Sequence, residues 1–259
     1  GRPLQLIDRG LDLATDGATR FELLILRGEI LRNRGDTVAA IAAFRESLPV
    51  AADAAARARA LIGLASGLRV QDNYDSALAI LEEAKTLADV SDDPLLLAEI
   101  HSHRSSLHFP KGQIEECLRE GELALANAQR ASSVREEIWA RSSLGDAHYA
   151  AGHFSKAHAQ FDACVRGACE HSLLRAAAMN LPMRGLLRML SNDLLGSITD
   201  CHEAATLGAR IGDLRAQMVS EDIRSLVLLY LGDWKAAWDS SELGLKLAQR
   251  LGARRFCAD

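Results

Sequence analysis

The chain has 259 residues, of which 48% are hydrophobic, 25% charged and only 5% aromatic, and its formal net charge is −5. This balance offers no broad positive field for a phosphate backbone, so no nucleic-acid partner is expected. No apolar run approaches the roughly 18 residues that cross a bilayer, and no segment has the layout of a signal peptide, so no membrane partner is expected either. The five cysteines (Cys117, Cys164, Cys169, Cys201 and Cys257) are odd in number and include no Cys-x-x-Cys pair. They read as reduced thiols of a cytoplasmic protein.

Alanine and leucine dominate, which favours helices. In chain order, residues 4–14 read as the second helix of a hairpin. Turns follow at Gly35-Asp36, Asp72-Asn73, Gly112-Gln113, Gly152-His153, Asn192-Asp193 and Gly232-Asp233, spaced 37, 40, 40, 40 and 40 residues apart. Gly, Asn and Asp tolerate the left-handed geometry that reverses a chain between helices. Seven residues before each turn stands a small residue, Gly28, Ala65, Ser105, Gly145, Gly185 or Ser225. Five after it stands another, Ala40, Ala77, Cys117, Ala157, Ser197 or Ala237, so that paired antiparallel helices can approach closely. Asp93-Pro94 reads as an N-cap with proline at the first helical position, and Ser133 with Glu136 as a capping box. The expectation is about six helical hairpins in a single all-α solenoid over residues 1–259. The start at Gly1 without methionine, and the beginning of a further helix at Gly252 to Asp259, suggest a piece of a longer chain. Ends without a polar cap would allow self-association.

The stretch SSLGDAHYAAGHFSKAHAQF, residues 142–161, resembles a tetratricopeptide repeat. Leu144, Gly145, Ala157 and Phe161 match that pattern, as do Leu24, Gly28, Ala40 and Phe44 in the first unit. Arg141 and His148 stand where the family has tryptophan and tyrosine, the terminal proline is missing, and the period exceeds the family's usual 34 residues or so. RGEILRNRGD (27–36), LHFPKGQIEECLRE (107–120) and SLGDAHY (143–149) resemble the C-terminal repeat region of bacterial class III adenylate/guanylate cyclases with an ATPase module. Similar repeats occur in LuxR-type regulators. The resemblance implies a right-handed superhelix whose concave wall, lined by the first helix of each unit, holds a protein or peptide segment, from a partner or from the same chain.

No residues support catalysis. There is no GxxxxGK[ST] loop to cradle a phosphate. Glu115-Glu116 and Glu136-Glu137 are adjacent on helices and do not face one another. His101 and His108 share a helix face but lie too far apart to clasp one ion directly, while His103 points elsewhere; Cys164, Cys169 and His171 form a second cluster. Ordinary packing is the expected role of both groups, with no cofactor and no metal, against a metal or redox alternative. Arg27, Arg104, Arg184 and Arg224 each precede the small residue of a first helix. They are expected to pair with carboxylates of neighbouring helices, the rival reading being a surface for acidic groups.

Carrying the family's inward positions onto this chain gives candidate ligand-binding residues Arg59, His103, Phe109, Trp139, Asp146, Tyr149, Met179, Met183, Leu186, Ile223 and Tyr230. The resemblance also turns Ser66, Arg69, Ser106, Ser143, Met189 and Leu226 toward that wall. Aromatic residues and adaptable methionines on one wall suit a binding groove. The competing expectation is that they pack between helices. An open groove would favour a protein-interaction or regulatory module of a multidomain signalling protein. A deep pocket closed by Trp139, Tyr149 and Met183 would favour a sensor of a small effector.

Overall fold

The computed structural model describes residues 2–253. They form thirteen α-helices: α1 (Arg2–Leu13), α2 (Gly17–Asn33), α3 (Thr37–Ser47), α4 (Ala54–Val70), α5 (Tyr74–Ser91), α6 (Pro94–His108), α7 (Ile114–Arg130), α8 (Val134–Ala150), α9 (Phe154–Glu170), α10 (Leu174–Leu190), α11 (Leu194–Ile211), α12 (Leu214–Tyr230) and α13 (Trp234–Leu251). Short 3-10 turns extend α3 and α6. No strand occurs among the described residues. The six turns foreseen from spacing separate the two helices of six hairpins, from α2–α3 to α12–α13. Cys257 and most of the further helix expected after Gly252 lie outside the described residues.

Each turn is built by two adjacent residues with separate tasks. The first takes the left-handed conformation, from φ 58° at Asp72 to φ 84° at Gly35. The second often caps the next helix: Asp36 accepts from the Ala39 N–H at 3.2 Å, Asp193 from Gly196 at 2.9 Å and Asp233 from Ala236 at 3.1 Å. Between hairpins the pattern repeats, with Asp92, Ser132, Ser172 and Gly212 left-handed, and Asp93, Ser133 and Asp213 capping. Helices of about seventeen residues joined by such short turns account for the 40-residue period.

The small residues set the distance between helices. A Cβ on Gly28 would stand 2.6 Å from the Phe44 ring, and one on Gly145 would stand 2.6 Å from the Phe161 ring. Both rings are buried. Where Gly121 replaces the bulky residue, Leu144 of the following helix closes the gap, 2.9 Å from where a Cβ would sit. Around these contacts the apolar core runs as a chain of clusters passed from hairpin to hairpin.

First helices also touch one another, α2 with α4, α4 with α6, α6 with α8, α8 with α10 and α10 with α12, whereas the second helices make no comparable contacts with each other. The stack therefore curves toward its first helices, which form the inner wall. Curvature proceeds far enough for the ends to meet. The turn at Gly35 lies against the start of α12 and the end of α13: a Cβ there would stand 3.0 Å from Leu214 and 3.4 Å from both the Leu251 side chain and the Arg250 carbonyl. Thr37 Oγ1 donates to the Leu251 carbonyl at 3.4 Å. The superhelix closes on itself.

Recurrent arginines tie neighbouring hairpins together. Arg104 on α6 pairs with Glu82 on α5 and, at 3.1 Å, with buried Glu120 on α7. Arg184 on α10 binds Asp162 on α9 at 3.2 Å and buried Asp200 on α11 at 2.8 Å. Arg27 reaches Asp8 on α1 at 3.4 Å, while Arg224 pairs within its own helix with Glu221 at 3.3 Å.

Two stability predictions follow from this packing. Gly145→Ala should destabilise the chain by roughly 1–3 kcal/mol, because the new methyl must displace a ring that fills a close-packed core. Asp200→Ala should cost about 3–5 kcal/mol, since it leaves Arg184 desolvated without its main acceptor. Chemical denaturation reads both, and a loss under about 0.5 kcal/mol, the range of ordinary surface substitutions, would refute either one.

Candidate functional site

The inner wall at the closure gathers charges from helices far apart in sequence. Arg32 comes from α2, Arg69 from α4, His103 from α6, Asp146 from α8, Arg175 from α10 and Arg215 from α12. The early residues lie near the C-terminal ends of their helices, and Arg175 and Arg215 near the N-terminal ends of theirs. This offset is the rise of one superhelical turn. Arg32 Nη1 donates to Ser66 Oγ at 2.6 Å. Arg175 Nε donates to Asp213 at 3.0 Å, and its guanidinium lies 6.0 Å from the centre of the Trp139 ring. Arg69 is different. Among the described residues its half-buried side chain makes no hydrogen bond or ion pair, and its Nε is shut off from solvent without an acceptor; the Arg32 Nε is in the same condition.

Loss of solvent dominates the electrostatics here. Desolvation, reinforced by Arg215, Arg32 and Arg175, lowers the Arg69 pKa to about 9. Desolvation and the Arg175 charge bring Arg32 down to about 10. His103 falls to about 3 through desolvation and the same arginines, so its imidazole is neutral. Desolvation raises the Asp146 carboxyl to about 7 even though Arg69 and Arg215 favour its ionised form. Such a carboxyl is a weak counter-ion.

The other candidate residues fall in several environments. Arg59 is exposed at the start of the wall, clasping Glu22 through two bonds of 2.7 and 3.0 Å, with its guanidinium 5.4 Å from the centre of the Phe21 ring. Phe109 is half-buried in the 3-10 turn after α6. Tyr149 and Met183 pack against Phe161 and Leu187, and Tyr149 also meets Phe154 at 5.8 Å between ring centres. Trp139 and Met179 belong to the cluster around Ile138 and Leu181. Met183, Leu186 and Met189 cover Cys201, Ile223 and Val227, and Ile223 is itself only 4% exposed. Tyr230 is 74% exposed at the end of α12. Arg32, Arg175 and Arg215 were not among the candidates. A signal for them exists in the period, because Arg32 lies one unit before Arg69, while Arg135, Arg175 and Arg215 are successive at 40 residues.

His101 and His108 have hydrogen-bond partners and Cys117, Cys164 and Cys201 are buried, whereas Cys169 and His171 are exposed. His101 Nδ1 meets Glu120 at 2.6 Å in a buried contact, and His108 Nδ1 meets Gln113 at 2.7 Å. Burial disfavours the Glu120 carboxylate, but His101 and Arg104 outweigh it and lower its pKa. Burial pushes the Cys117 thiol to about 11 and those of Cys164 and Cys201 to about 12, far from the thiolate form that reacts or binds metal. Among the described residues no three His, Cys, Asp or Glu side chains are grouped to hold a metal ion, and no helix is long and apolar enough to cross a membrane.

Asp146 yields a pH prediction. Its pKa rises from 3.8 toward 7 on folding, so the folded state holds this proton more tightly. The associated stability is complete below about pH 4 and lost as pH rises through 7. Asp146→Asn should therefore raise Tm relative to the parent more at pH 8 than at pH 5. An equal difference at both pH values would contradict it.

Neither a known protein family nor a curated protein matches the sequence. The fold is similar to solved structures of a Rap protein complexed with Competence and Sporulation Factor (TM-score 0.70, 14% identity, covering 98% of this chain and 76% of that one) and of NprR in complex with its cognate peptide NprX (TM-score 0.68, 14% identity, 98% and 74%). It is also similar to a signal transduction ATPase with numerous domains and a tetratricopeptide repeat sensor from Pyrococcus horikoshii (TM-score 0.60, 14% identity, 92% and 40%). At these identities the likeness concerns architecture, and the chain is a tetratricopeptide-like all-α solenoid.

Proposed function

We propose that this chain is a non-catalytic interaction module that holds a protein or peptide segment along the inner wall of its superhelix. The observation that carries this reading is Arg69, a half-buried guanidinium on a first helix whose Nε is shut off from solvent without an acceptor among the described residues. A buried polar group lacking a partner is unfavourable to stability, so its presence suits a surface completed by something else. The peptides in the Rap and NprR complexes add support by analogy of architecture.

The same reading places the module in a bacterial multidomain signalling protein of the cytoplasm, where the segment belongs to a partner or to a cyclase, ATPase or LuxR-type domain of the same chain. The tetratricopeptide sensor of the Pyrococcus ATPase is a parallel arrangement. Self-association would use the last hairpin, where Tyr230, Trp234 and Trp238 are 74%, 70% and 72% exposed. A small effector is the competing ligand and calls for one pocket closed by Trp139, Tyr149 and Met183. Tyr149 and Met183 share a cluster that does not include Trp139, which favours the extended segment.

Selection from a displayed peptide library tests the proposal. Enriched peptides should bind in solution, and Trp139→Ala should weaken them by roughly 1–3 kcal/mol if that ring is an anchor. Tm measured alongside separates lost binding from lost packing. A chain that enriches no peptide yet is stabilised by a small molecule would move the assignment to effector sensing.

A further inference from the structure

Within that binding channel, we propose that Arg69 and Arg32, backed by Arg175, form an oxyanion clasp at the closure of the superhelix, and that its occupant is a carboxylate of an acidic peptide segment. The inference rests on the channel reading and adds the chemistry of its ligand.

Three observations carry it. The first is the disposition of charge: a chain of net charge −5 brings guanidiniums from its first, second, fifth and sixth hairpins within electrostatic reach of one another. Neighbouring like charges repel, the more so where solvent is partly excluded. The second is the difference in pairing. Arg104 and Arg184, the arginines between hairpins, each hold two carboxylates. Arg175 has Asp213, and Arg32 has only the neutral Ser66 hydroxyl. Among the described residues Arg69 has neither, and the Nε atoms of both Arg32 and Arg69 lack acceptors. The third is the character of the facing groups. His103 is neutral and Asp146 a poor counter-ion, so these two groups leave Arg69 the least compensated of the arginines, whereas Glu29, Asp213 and Glu99 act favourably on Arg32.

A carboxylate fits because a guanidinium presents planar, paired N–H donors that match two carboxylate oxygens. It would relieve the mutual repulsion of the arginines and bridge hairpins that meet only through closure. A slender extended chain reaches a concave wall more readily than a bulky folded domain. An acidic side chain on a peptide supplies the anion in that form.

The probes are acetyl-tetra-aspartate amide, its tetra-asparagine counterpart and inorganic phosphate, titrated by calorimetry at low salt. The aspartate peptide should bind, the asparagine peptide should not, and Arg69→Gln and Arg32→Gln should each weaken binding by about tenfold or more. Hydrogen exchange should slow on binding at both the Gly35 turn and the start of α12, which separates the clasp from scattered surface attraction. Arg69→Gln should leave Tm unchanged or raise it, because it removes an unpaired desolvated charge; a purely structural arginine would lower Tm on removal, and that result counts against the clasp. Wild-type chain that binds none of the probes would overturn the proposal, as would binding that survives both substitutions. Phosphate bound without the aspartate peptide would overturn the peptide carboxylate as occupant. Library peptides that bind but lack acidic residues and ignore Arg69→Gln would reject the clasp while leaving the interaction module intact.

Discussion

A recurring close contact between the two helices of a hairpin, together with contact between successive first helices, is the constraint from which the rest of the structure follows. Gly28 against Phe44 and Gly145 against Phe161 bring helix pairs too close for even one added methyl. Small residues at the equivalent positions of other hairpins keep similar spacing. Because first helices touch one another and second helices do not, every hairpin adds a rotation of the same sense. Nearly equal rotations accumulate instead of cancelling, as expected of a quasi-one-dimensional stack. After six hairpins the chain returns to its own beginning, at Gly35, Thr37, Leu214 and Leu251.

Closure changes the chemistry of side chains that an open stack would leave in water. On an open wall Arg32, Arg69 and Arg215 would be solvated and their repulsion largely screened. Brought together across the turn, they are desolvated, and Arg69 feels three other guanidiniums. The closing contacts include a hydrogen bond, the apolar surface around Leu214 and Leu251, and the attraction between Arg215 and Asp72. The repulsion acts against them. Were the proposed carboxylate to bind there, curvature and occupancy of the inner wall would be thermodynamically linked: neutralising the arginines would favour closure, and closure would improve the site.

The architecture was legible because it repeats. One left-handed residue at each turn, one small residue on each helix and a 40-residue spacing are local signals, and each appears several times in the chain. The roles of Arg104 and Arg184 were also legible, since an inward arginine near a neighbouring helix needs a carboxylate. The inner wall was legible only in part. Arg69, His103 and Asp146 follow from the inward positions of their own hairpins, but their environment depends on other hairpins, for Arg69 on Arg175 and Arg215 more than a hundred residues away. Arg175 and Arg215 carry a periodic signal without any local indication that they would meet Arg32. Periodicity specifies the contents of each unit; how far the stack turns is a sum over small angles. For the same reason Tyr149, Met183 and Ile223, which look alike on a helical projection, divide between clusters that only the assembled stack defines.

The arginines of this chain distinguish support from availability. Arg104 and Arg184 occupy corresponding places on α6 and α10, and each is closed on both sides by carboxylates of adjacent second helices. Their charge is used within the fold, and removing an acceptor would leave a costly vacancy in a satisfied network. Arg69 belongs to the same kind of helix but stands nearer its C-terminal end, where its neighbours are cations, a neutral histidine and a carboxyl that resists ionisation. A guanidinium in that setting does not stabilise the hairpin that carries it. Its position suits an inner wall completed by the anionic segment proposed above.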